Sequence, residues 1–173
     1  MGRVINTDKV NDPEKYRRGW TGGLPETECG YGATLSATIE QREWLAHVFD
    51  RYEIRSIADI GAGDLNWVRT MDLDGIDYRP FDLVPRHESV TQFDVCHEIP
   101  PAVDCILCLW VLNHMPYGAC ELALDNLKAS GARYLVMTDR VKWHSEQPPG
   151  ILMDAIESLT LNKKGDRILL ARL

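Results

Sequence analysis

Two glycines and three acids, spaced along the chain, are the residues best suited to hold a ligand. In Ser56-Ile-Ala-Asp-Ile-Gly-Ala-Gly-Asp-Leu65 an apolar run stops at Gly61 and Gly63, where the absence of side chains lets a ligand come close to the backbone. Asp59 precedes Gly61 by two residues, and its carboxylate can brace the turn or accept from a ligand amine. Asp82 closes a second apolar stretch, Tyr78 to Leu83, 21 residues after Gly61, the place where an open α/β sheet puts a carboxylate for a ribose diol. Asp94 follows a third stretch ending at Phe93. For proton transfer the candidates are His114 and Tyr117 in Trp110-Val-Leu-Asn-His-Met-Pro-Tyr117, with His144 a weaker one. His114 can equally cap the helix that follows or satisfy a loop.

The elements that must position these groups are legible in the hydrophobic pattern. A helix is expected from about Ser36 to Tyr52, with Ser36 as N-cap and Leu45, Val48, Phe49 and Tyr52 on one face. The strand through Asp59 follows, then a short helix from Leu65 to about Leu73. Asp64 is its expected N-cap, and its N-terminus would favour a carboxylate. Strands are expected at about 77–81, 89–93 and 103–109. The last is a continuous apolar run of the kind buried in the middle of a parallel sheet. A helix over about 118–129 ends at Ser130-Gly131, a strand covers 134–137, and a loop over 140–150 carries Lys142, Trp143 and His144. A helix over 151–157 and a hairpin formed by 158–161 and 167–171 complete the reading.

The order Asp59-x-Gly61-x-Gly63, Asp82, Phe93-Asp94 and the strand from Val103 to Leu109 resembles that of the class I S-adenosylmethionine-dependent methyltransferases, over roughly residues 32 to 139. The resemblance implies an α/β fold, a Rossmann-like doubly wound, mostly parallel seven-stranded sheet with an antiparallel C-terminal hairpin. It implies S-adenosylmethionine as cofactor, with Asp59, Gly61, Gly63, Asp82, Leu83, Leu109 and Trp110 around it. It further implies that Asp94 accepts from the adenine amino group while the N–H of Val95 meets a ring nitrogen. Residues 1–33 would form an N-terminal arm or lid that brings Tyr31 and Thr34 to the ligand, and 34–173 the cofactor-binding domain. At Leu65 the family often has a further glycine.

A chain of 173 residues with 45% hydrophobic content supports one domain with its own core. A net charge of −7 gives no general grip on nucleic acid, so a small molecule or a protein side chain is the expected acceptor. Neither a membrane-spanning run nor a signal-peptide core is visible, and a cytoplasmic location is expected. The five cysteines, an odd number without disulfide-framework spacing, read as thiols. Cys105 and Cys108, three apart in a strand, should face opposite sides, and no metal site is expected. Two other functions stay open: a noncatalytic cofactor-binding or partner-regulating subunit, and a dinucleotide-dependent oxidoreductase. The latter is disfavoured because Asn66 stands where the Gly-x-Gly-x-x-Gly fingerprint needs a small residue.

Overall fold

The computed structural model describes residues 13–17, 24–139, 155–161 and 166–173. In chain order the elements are α1 (Pro13–Arg17), α2 (Ile39–Arg51), β1 (Ser56–Ile60), β2 (Asp77–Asp82), β3 (Thr91–Gln92), β4 (Cys105–Cys108), α3 (Tyr117–Ala129), β5 (Tyr134–Asp139), β6 (Ala155–Thr160) and β7 (Arg167–Arg172). They build one seven-stranded sheet in the order β3-β2-β1-β4-β5-β7-β6. All neighbours from β3 to β5 are parallel, whereas β7 runs antiparallel to both β5 and β6. This is the mostly parallel α/β sheet with an antiparallel C-terminal hairpin that the sequence implies.

Among the described residues, one long helix covers each face. Leu45, Val48 and Phe49 of α2 pack with Ile57, Leu107, Val136, Ile168 and Leu170 on one side. Ala119, Cys120, Ala123 and Leu127 of α3 pack with Ala58, Ile106, Leu135 and Leu169 on the other. Alternation along β4 sends Cys105 to the α2 face and Cys108 to the α3 face, as strand geometry requires. Burying each large aliphatic side chain stabilises the sheet by about 1.5–3 kcal/mol. The strand order reverses between β1 and β4, so a crevice opens beyond their carboxyl ends.

Three expected helices are different in the structure. Only a single 3-10 turn, Val68–Thr70, stands where Leu65 to Leu73 should be helical. Leu65 itself adopts φ 60°, outside helical space, and Asp72, Asp74 and Gly75 end any continuation. The helix before β1 starts at Ile39 with Thr38 as N-cap, because 34–38 form turns in which the Thr38 amide and hydroxyl both donate to Thr34 O. Ala155 to Glu157, expected at the end of a helix, belong to β6, where pairing with β7 decides their conformation.

Candidate functional site

The crevice is a cavity of about 470 Å³ whose walls include the β1 turn, the ends of β2 and β4, the start of α2 and residues 29–33. Its floor is the glycine turn. Gly61 and Gly63 take φ 86° and 62°, which disfavours other residues there, and the amides of Gly61 and Ala62 both donate to Phe81 O. Space is equally restrictive: a Cβ on Gly61 would stand 2.2 Å from Val111 Cγ2, and one on Gly63 2.5 Å from Cys29 Sγ.

Asp82 stands at the tip of β2 against this turn. Its Oδ2 accepts from the Gly63 amide at 2.8 Å and its Oδ1 from the Val84 amide at 2.9 Å. Burial raises its pKa above the ordinary carboxylate value, and those two amides and Arg86 oppose the rise. Asp59 is deeper, 3% exposed, and accepts from the Tyr78 hydroxyl at 2.5 Å. Burial pushes its carboxyl up to about 7, against the Tyr78 bond and with help from the charge of Asp82. Leu83 and Val95 line the same cavity.

Asp94 is placed differently from its neighbours. Its Oδ1 accepts from the Cys96 amide and its Oδ2 meets His97 Nδ1 at 2.9 Å, so the carboxylate organises the turn after β3 while Phe93 and Val95 reach the cavity wall. Asp64 accepts from the Asn66 amide, as an acid starting a turn does, but no α-helix follows for it to cap. Its Oδ2 takes the Thr27 hydroxyl at 2.7 Å and the Glu28 amide at 2.8 Å. Burial works against its ionisation, yet these bonds prevail and hold its carboxyl below the ordinary value.

The opposite wall rises from the end of β4. Leu109 and Trp110 line the cavity, and Trp110 holds φ 59°, a conformation that is an outlier for a bulky residue. The Trp110 amide donates to the buried Thr138 hydroxyl of β5 at 2.9 Å, which fixes this turn. His114 lines the cavity further along, its Nε2 3.2 Å from Asn113 Nδ2, and its carbonyl accepts from the Tyr16 hydroxyl at 3.4 Å. Tyr117 opens α3, and its side chain lies outside the described residues, as do Lys142, Trp143 and His144.

Residues between Glu26 and Ala33 are bonded to Asp64 and Asn66, just after the glycine turn. Besides the Asp64 bonds, Asn66 Nδ2 donates to Glu26 Oε1 and to Ala33 O, both at 3.0 Å. Arg86 joins in, donating to Glu28 Oε2 at 2.8 Å and to Tyr16 O at 2.5 Å. Tyr31 lines the cavity and is 71% exposed, whereas Thr34 is buried in its own turn, donating to Tyr31 O, and does not line the cavity. Cys29, Gln41 and Arg86 also line it without having been singled out in the sequence. Burial and the nearby Asp64 charge push the Cys29 thiol up to about 11. Gln41 carried a readable signal, because it extends the apolar stripe of Leu45, Val48 and Phe49 back by one turn.

No protein-family model matches the chain, and no curated protein matches it. Solved structures do. Magnesium protoporphyrin IX methyltransferase (ChlM) from Synechocystis PCC 6803, with bound S-adenosylmethionine, superposes with a TM-score of 0.61 at 14% identity, over 80% of this chain and 78% of that one. The N-methyltransferase NodS from Bradyrhizobium japonicum, in complex with S-adenosylhomocysteine, gives 0.59 at 16% identity, over 79% and 87%. The methyltransferase domain of a bacterial Hen1 gives 0.60 at 8% identity, over 79% and 100%. The chain therefore has the fold of the class I S-adenosylmethionine-dependent methyltransferases.

Proposed function

We propose that this protein binds S-adenosylmethionine and transfers its methyl group to a nucleophilic atom of an acceptor. The observation that carries the proposal is Asp82, a half-buried carboxylate fixed by the Gly63 and Val84 amides at the tip of β2, in one cavity with the glycine turn and Asp59. Each of its oxygens has a further lone pair for a ribose hydroxyl. Gly61 and Gly63 let the ligand pass close to the backbone, Leu83 and Val95 form the apolar sides of a base site, and Asp59 faces a ligand amine. The cofactor, when bound, supplies a sulfonium-activated methyl group open to in-line displacement. In this reading the chain's part is to hold the reactants aligned in a half-closed cavity, with His114 on the β4 side taking the proton that the acceptor releases.

The acceptor is a small molecule or a protein side chain. Magnesium protoporphyrin IX, named for one structural neighbour, is a small molecule, and the net charge of −7 in this chain disfavours a polyanion. No described helix is long and apolar enough to cross a membrane.

Calorimetric titration with S-adenosylhomocysteine, S-adenosylmethionine and NAD tests the binding. Saturable binding of the first two and none of NAD is expected, and tighter binding of NAD would refute the assignment. Transfer of a labelled methyl from S-adenosylmethionine to extracts, separated into small-molecule and protein fractions, then tests for catalysis. Binding without transfer to any fraction would support the noncatalytic alternative.

A further inference from the structure

Gln41 presents an unusual juxtaposition. It lies on the buried face of α2, in line with Leu45, Val48 and Phe49, and is only 3% exposed. Every other member of that stripe is apolar and packs in the core under the helix. The Gln41 amide lines the cavity instead and has no hydrogen-bond partner among the described residues. The amide atoms open onto the cavity and are not sealed in the core, so this polar group is offered to whatever occupies that space. Its presence points to a partner supplied from the cavity.

The surroundings narrow the chemistry of that partner. Three acids, Asp59, Asp64 and Asp82, line the cavity, and the guanidinium of Arg86 is already shared between Glu28 and Tyr16 O. The helix that would offer its N-terminus to an anion after the glycine turn is replaced by the 3-10 turn Val68–Thr70. A ligand carboxylate entering on the α2 side meets the Gln41 amide nitrogen, a side-chain donor that makes no hydrogen bond to the described residues. The amide oxygen can at the same time accept from an ammonium.

We infer that Gln41 recognises the α-amino-acid end of the cofactor, donating to its carboxylate and accepting from its ammonium, in place of the missing helix N-terminus. This rests on the reading that the cavity takes S-adenosylmethionine. It separates two ends of the site: Asp82 holds the ribose from the β2 side, and Gln41 the amino-acid end from α2.

The test compares two ligands, S-adenosylhomocysteine, which has the amino-acid end, and 5′-methylthioadenosine, which lacks it, on wild type, Gln41→Leu and Gln41→Glu. Loss of a hydrogen bond to a charged group predicts about a tenfold or greater weakening of S-adenosylhomocysteine by Gln41→Leu. Binding of 5′-methylthioadenosine should stay within about twofold on the same grounds. Gln41→Glu, which adds a negative charge, should weaken S-adenosylhomocysteine further and again spare the truncated ligand. The melting temperature of Gln41→Leu without ligand should equal or exceed that of wild type, which separates a lost contact from a damaged fold. Equal affinities of wild type and Gln41→Leu for S-adenosylhomocysteine would overturn the inference and leave the cofactor assignment standing. Parallel weakening of both ligands would also overturn it, making Gln41 a wall residue. Failure of wild type to bind either ligand would bring down the cofactor assignment and the inference together.

Discussion

Replacing Asp59 by Asn should stabilise the protein above neutral pH and leave it almost unchanged in acid. Asp59 is buried and accepts from the Tyr78 hydroxyl, and burial pushes its carboxyl up to about 7 in the folded chain against an ordinary 3.8. A folded-state pKa raised above the unfolded value means that the native state retains a proton the unfolded chain has released. Stability from this group is complete below about pH 4 and is lost progressively as pH rises through about 7. At about 1.4 kcal/mol per pKa unit, the penalty above pH 7 reaches roughly 4 kcal/mol, an upper bound because water entering the cavity relieves part of it. Asn has no charge to desolvate, and its Oδ1 can still accept from Tyr78. Urea unfolding of both proteins without ligand, at intervals from pH 4.5 to 8.5, reads the difference. The variant should gain little at the acid end and up to roughly 4 kcal/mol at the alkaline end, on the order of 10 °C in melting temperature. A difference that does not change with pH would show that Asp59 ionises in the native state without penalty, and the reasoning from burial would fail.

Asp82→Ala should weaken S-adenosylhomocysteine at least about tenfold, since charge-assisted bonds to two ribose hydroxyls are worth about 1.5–3 kcal/mol each before non-additivity. Calorimetry measures this, and an unchanged dissociation constant would place the ribose elsewhere. His114→Ala should lower methyl transfer by about 10²–10⁴-fold while leaving S-adenosylhomocysteine affinity intact. Turnover and a melting curve on the same variant decide between a base and a loop residue, because full activity with a lowered melting temperature would make His114 structural. Gly63→Ala should reduce cofactor affinity, and adding Cys29→Ala should recover part of the loss, since the new Cβ would stand 2.5 Å from Cys29 Sγ. Recovery should be incomplete, because φ 62° costs an L-residue about 1–2 kcal/mol wherever there is space. Asp64→Ala should speed amide hydrogen exchange in residues 24–34 by removing the acceptor of Thr27 and Glu28, and unchanged exchange would mean that the Asn66 bonds suffice.

What the sequence made legible is what local pattern encodes. The run before Gly61, the acid 21 residues on and the buried strand at 105–108 depend on period and spacing, and they placed Asp59, Asp82, Leu109 and Trp110 around one cavity. The placement of residues 26–33 was hidden because it comes from single bonds to Asp64 and Asn66, some 30 to 40 residues away, which leave no periodic trace. The helix expected after Gly63 failed for a related reason. Leu65, Val68 and Met71 have helical spacing, but a segment this short seldom outweighs the left-handed turn its first residue must make. Asp94 shows the limit of position as a guide, since a strand-ending acid can serve a ligand or its own turn and the type and spacing are the same.

The placement of β7 between β5 and β6 has a consequence for how the chain folds. Because β7 follows β6 in the chain but lies nearer the centre, the sheet cannot grow outward in the order of the chain. Hairpins close within about 1–10 μs, so β6 and β7 can pair with each other first and then join β5 as a unit, along the edge of β7. Until they do, β5 is an open edge rich in apolar residues, with Leu135, Val136 and Met137 all destined for the interior. Refolding from urea should accordingly lose yield as protein concentration rises, through intermolecular pairing at that edge, and the loss should be confined to the interval before the hairpin docks.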